Sequence, residues 1–124
     1  MSIWTHVCGC IRVDAMRSSK IDDVREIENI TEKLGKIVHP LSKDKNTTLP
    51  CGSEGSIEYR IISNEDLSNI AAYNIPIWGD LRDYDSVDEI EKWFRDVCSK
   101  LDVRDAVIEI VVCGETEDKY VVTV

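Results

Sequence analysis

The chain has 124 residues, 43% hydrophobic and 31% charged, with 24 acidic against 15 basic side chains and a formal net charge of -9. That length fits one domain over 1–124, since single cores of roughly 100–150 residues are the commonest size, and the apolar content is too high for disorder. The acidity weighs against a duplex nucleic acid, whose binding needs many phosphates neutralised by Lys and Arg, but leaves room for a small anion that needs two or three cations.

The amino-terminal stretch MSIWTHVCGCIRVD lacks a basic region followed by an apolar run, and no 18-residue apolar run occurs anywhere, so a cytoplasmic protein with no membrane partner is expected. Cys8, Cys10, Cys51, Cys98 and Cys113 make an odd count without the spacing of a disulfide scaffold, which predicts free thiols.

In chain order, Ile3, Val7, Ile11 and Val13 alternate with Trp4, His6, Cys8, Cys10 and Arg12, the period-2 signature of a strand with one buried face. Gly9 marks a bulge or a close approach. Ile21, Val24, Ile27, Ile30, Leu34, Ile37 and Val38 recur at helical spacing, with Ser18 or Ser19 as N-cap and His39-Pro40 as the stop. Residues 41–56 mix Pro, Gly, Ser, Thr and Asn without periodicity and predict an exposed loop. Ile57 to Ser63 reads as a strand, SNEDLSN as a connection, and Ala71 to Leu81 as a strand blemished by Pro76. Ser86-Val87-Asp88-Glu89 has the form of a capping box for a helix carrying Val87, Ile90, Phe94, Val97 and Leu101. Ala106, Ile108, Ile110 and Val112 predict another strand, and Tyr120, Val122 and Val124 a last one after the GETED turn.

The order β-α-β-β-α-β plus a closing strand predicts an α+β, ferredoxin-like sandwich with an extra C-terminal strand, two helices covering one face of an antiparallel sheet. The other face is then open. It carries Trp4, His6, Cys8, Cys10 and Arg12, Glu58 and Arg60, Asn74, Trp78, Asp80 and Arg82, and Glu109. Indoles stack on flat rings and guanidinium groups grip phosphate, so these residue types suit a nucleotide. The same types anchor dimer interfaces, and a homo-oligomer through this face is the competing expectation.

Cys51-Gly52-Ser53-Glu54-Gly55-Ser56 could add Ser53 and Ser56 and a nest of backbone N–H groups for an anion, although no Walker lysine or helix start follows and a plain turn is the simpler reading. His6, Cys8 and Cys10 at i, i+2 and i+4 are too far apart along a strand to share one metal ion. No nucleophile, base and orienting group converge, so no catalytic set, cofactor or metal is expected and the protein reads as a non-enzymatic binding module. Acidic residues on both helices, Glu26 and Glu91 among them, suggest the alternative of an inhibitor that engages a basic host protein.

Three segments, WTHVCGCIRVD, LPCGSEGSIEY and IWGDLRDYDSVDEIEKWF, resemble small uncharacterised proteins encoded by bacteriophages, over about half of the chain. The resemblance implies an accessory protein of the infected bacterial cytoplasm, acting against host defence. Combined with the open face, it frames the expectation of a module that sequesters a small anionic ligand such as a signalling nucleotide, at Trp4, His6, Arg12, Ser53, Ser56, Arg60, Trp78 and Arg82.

Overall fold

A computed structural model describes residues 2–16, 20–35, 49–63 and 70–124. Its elements are β1 (Trp4–Met16), α1 (Lys20–Leu34), β2 (Glu58–Tyr59), β3 (Ile62–Ser63), β4 (Ile70–Arg82), α2 (Val87–Lys100), β5 (Val103–Cys113) and β6 (Glu117–Thr123). The fold is α+β: a six-stranded sheet in the order β2-β4-β1-β5-β6, with β3 also on β4, and every neighbouring pair antiparallel.

Alternation decides which side of the sheet the helices cover. Val7, Ile11 and Val13 of β1, Tyr73, Ile75, Ile77 and Leu81 of β4 and Ile108 and Ile110 of β5 form one buried cluster. Ile30 and Leu34 of α1 and Ile90, Phe94, Val97 and Cys98 of α2 belong to it too. Each fully buried side chain of this size contributes about 1.5–3 kcal/mol of hydrophobic stabilisation. Gly9 sits on this side because a Cβ there would run into the backbone of Val107 and Ile108; the expected close approach is real. Among the described residues Thr5 is the buried polar one, and its hydroxyl donates to the carbonyl of Tyr84, which fastens β1 to the chain entering α2.

Pro76 has a place that the sequence pattern does not disclose. The N–H of Arg60 donates to the carbonyl of Pro76 at 3.2 Å, so the imide nitrogen of Pro76 faces the sheet edge and not β1. The central β1–β4 ladder is therefore unbroken from Trp4–Arg82 to Met16–Ile70. At the edge, the missing donor splits the expected 57–63 strand into β2 and β3, although Glu58–Trp78 and Ile62–Asn74 keep one register.

Several expected boundaries need correction. The first helix ends at Leu34, where Gly35 takes φ 101 and its N–H donates to the Thr31 carbonyl; a glycine in the left-handed region stops the helix ahead of His39-Pro40. Ser18, Ser19, Ile37, Val38 and most of SNEDLSN lie outside the described residues. Ser86 does precede α2, but its side chain makes no capping bond, and the Glu89 carboxylate accepts from the Tyr84 hydroxyl at 2.8 Å, so the capping box does not form.

The expected exposed loop is exposed at residues 53–55 where it is described, but its ends are anchored. Leu49 is buried, the N–H of Ile57 donates to the carbonyl of Pro50, and Cys51 bridges Ser56 in a tight antiparallel turn. That turn docks on the end of β4: the N–H of Ser53 donates to the Arg82 carbonyl and the N–H of Arg82 to the Glu54 carbonyl, at 2.9 and 3.0 Å. One apolar residue in a polar segment was the anchor.

Candidate functional site

The uncovered face of the sheet follows directly from register. Rows of side chains run across it: Arg82, Trp4 and Cys113; Asp80, His6 and Val111; Glu58, Trp78, Cys8 and Glu109; Pro76, Cys10 and Val107. Successive rows are two residues apart, about 6–7 Å. Trp4, His6 and Arg12 share this face with Trp78, Arg82 and Arg60, but they do not form one pocket. Eight residues separate Trp4 from Arg12 along β1, about 26 Å.

Trp4, His6, Trp78 and Arg82 do come together at one half of the face. The rings of Trp4 and His6 are parallel within 6°, with centroids 6.5 Å apart, as expected for side chains two residues apart on one strand. That separation is at the loose end of aromatic stacking, so their faces are only partly in contact. His6 Nδ1 is 2.5 Å from Asp80 Oδ1 on the neighbouring strand, which fixes the imidazole between the two indoles. Trp78 is exposed, and its indole N–H donates to Glu58 at 3.1 Å.

Most cations of the face already have acidic partners. Arg82 contacts Glu54 at 2.9 Å and Asp83 at 3.9 Å and donates to the Ser2 hydroxyl; Arg12 lies 3.7 Å from Asp105, and Lys119 3.2 Å from Glu109. Arg60 is different: exposed, diagonal to Trp78 across the edge, and without an acidic partner among the described residues. Exposed pairs of the Arg82–Glu54 kind are worth only about 0–1 kcal/mol, so an incoming anion can displace the carboxylate at little cost.

The loop serines contribute differently from the expectation. The Ser53 hydroxyl donates to Asp83 at 2.9 Å and the Ser56 hydroxyl to the Ile57 carbonyl at 3.3 Å, while the Gly52 and Ser53 N–H groups bond the Gly55 and Arg82 carbonyls. The segment is the plain turn that the sequence favoured, and two of the N–H groups that an anion nest would use, those of Gly52 and Ser53, are already bonded. Ser53 remains beside Arg82, whereas Ser56 belongs to the interior of the turn. Cys8 is exposed and Cys10 half-buried, all five cysteines are free thiols, and among the described residues no three His, Cys, Asp or Glu side chains cluster as a metal site. Nor is any helix there long and apolar enough to cross a membrane.

The sequence pattern missed Val107, Val111, Cys113 and Val121, which also face the open side. In an almost wholly apolar run such as AVIEIVVC, Glu109 is the one polar residue that marks the open side, so the apolar open-face positions beside it carry no sequence contrast. Of the acids expected on the helical surface, Glu26 and Glu91 are half-buried, and Glu91 pairs with Arg95 at 3.1 Å.

No protein-family model matches the chain, and neither a curated protein nor a solved structure matches it.

Proposed function

We propose that the protein is a non-enzymatic binding module whose open sheet face holds a flat anionic ligand of the nucleotide class. One observation carries the reading. Two indoles flank the His6–Asp80 pair on the uncovered face, and each has a guanidinium beside it, Arg82 opposite Trp4 and Arg60 diagonal to Trp78. A base stacks on an indole for about 1–3 kcal/mol, and a guanidinium adds a charge-assisted bond to phosphate. Four rise steps separate Trp4 from the row of Trp78, about 13 Å, so the two indole–arginine pairs suit a ligand with more than one ring better than a single mononucleotide.

The order β2-β4-β1-β5-β6 differs from a simple ferredoxin fold, and reading it as a split βαβ plan with an interrupted edge and β6 appended is part of the proposal. A role as a bacteriophage accessory protein that sequesters a host signalling nucleotide rests on the resemblance of the three segments quoted above. The alternative of an inhibitor acting through its helical face would rest on the exposed Glu28, Glu32, Asp88, Glu89 and Asp96, since Glu26 and Glu91 are half-buried.

Isothermal calorimetry with a panel of mono- and dinucleotides tests the reading. Saturable binding is expected for at least one, weakened about tenfold or more by Trp78→Ala and by Arg60→Ala, and unchanged by Arg12→Ala. Absence of heat for every nucleotide at high protein concentration, or equal loss in Arg12→Ala, would overturn it.

A further inference from the structure

Among the described residues, seven large apolar side chains are exposed, and four of them, Val107, Tyr120, Val121 and Val124, gather at the β5–β6 border. They wrap both sides of a strand that ends the sheet. Ala106 and Val124 exchange both backbone hydrogen bonds, at 3.2 and 2.9 Å, so alternation turns the N–H and C=O groups of Lys119, Val121 and Thr123 away from β5, towards the free edge.

The two edges of this sheet are treated unequally. At the β2–β3 edge, Pro76 interrupts the ladder and the 51–56 turn covers the end of β4. β6 has no proline, glycine or bulge, and the side chain of Lys119, which could guard the edge, is engaged by Glu109 on the open face at 3.2 Å. A row of donors and acceptors with no partner among the described residues, lined by Tyr120, Val121 and Val124, is a template for another strand.

We propose that this strand is β6 of a second copy, added antiparallel about a two-fold axis at Val121, so that two sheets become one. The edge is complementary to itself in that arrangement. The outward groups of Lys119, Val121 and Thr123 meet those of Thr123, Val121 and Lys119 in the other copy, and the open faces of both copies stay on the same side. Charge selects the antiparallel direction. Glu117 and Asp118 of the two copies lie at opposite ends of the paired strands, about 24 Å apart and beyond the Debye length of about 8 Å, whereas parallel pairing would set four carboxylates side by side. The ligand-binding reading of the open face neither requires this contact nor is required by it.

Sedimentation equilibrium at about 100 μM chain reports the outcome. The wild type is expected at twice the 14.1 kDa chain mass. Val121→Pro removes an outward donor without touching the β5–β6 ladder, as Pro76 does in β4, and Val121→Lys places a charge at the axis; both are expected to sediment as monomers with wild-type circular dichroism. Val24→Lys, at an exposed site on α1, is expected to remain dimeric. A monomeric wild type, or a dimer that survives both Val121 substitutions, overturns the proposal, and a dimer lost instead in Trp78→Ala would move the interface to the open face.

Discussion

Individual side chains set the chemistry of both faces, and the helix-covered one gives the clearest residue-level tests. Thr5 is fully buried and donates its hydroxyl to the Tyr84 carbonyl. Thr5→Val keeps the shape and removes the donor to a part-buried carbonyl, so a loss of about 1 kcal/mol in urea unfolding is expected. Burial also pushes the Cys98 thiol up from 9.0 to about 11, and raises Tyr59. Tyr84 is raised by burial first and then by the Glu89 carboxylate that its hydroxyl meets. Each group holds its proton more tightly folded than unfolded. The stability that Cys98 contributes is complete below about pH 9 and is lost as pH rises towards 11, and that of the two tyrosines is lost only above about pH 10, the opposite sense from a carboxylate. A midpoint of denaturation that falls between pH 9 and 11 is the expected result; a flat profile over that range would contradict it. On the open face, alternation named Trp4, His6, Arg12, Trp78 and Arg82 correctly as neighbours in orientation. It could not say that Glu54 and Asp105 occupy Arg82 and Arg12, because those contacts join segments remote in sequence.

Elements were legible where contrast between buried and exposed positions is strong, and blurred where the chain carries local exceptions. β1 and α2 declare themselves by period. The stop of α1 depended on the single glycine at 35, and the helical pattern of Ile37 and Val38 runs past it. The turn at 51–56 depended on Leu49, a lone apolar residue among polar ones, and on glycines that let two backbones touch. Gly55 has φ 75, and a Cβ there would strike the Asp80 carbonyl of β4. Gly55→Ala should therefore undock the turn, with a cost of at least about 1 kcal/mol and a lowered melting temperature. An unchanged melting temperature would show that the turn is not held to the strand as described. Since this turn presents Glu54 to Arg82, its loosening also frees the guanidinium, and nucleotide affinity should not fall in parallel with stability.

At the scale of the whole molecule, the described residues give the sheet one covered face, one open face and one unguarded edge, and the two proposals use different parts of it. Loss of the β6 contact in Val121→Pro is expected to leave nucleotide affinity at the open face unchanged within about twofold, as befits sites with no shared side chain. The chain has three tryptophans, and their placement supplies an internal control. Trp4 and Trp78 stand on the open face, whereas the Trp93 indole N–H donates to the Leu34 carbonyl between the helices at 3.2 Å. Titration of nitrogen-15-labelled protein with the best-binding nucleotide, followed by the three indole N–H resonances, tests the central claim most directly. The account predicts saturable shifts of the Trp4 and Trp78 signals while that of Trp93 stays in place; shifts confined to Trp93, or no movement of the two open-face signals, would contradict it.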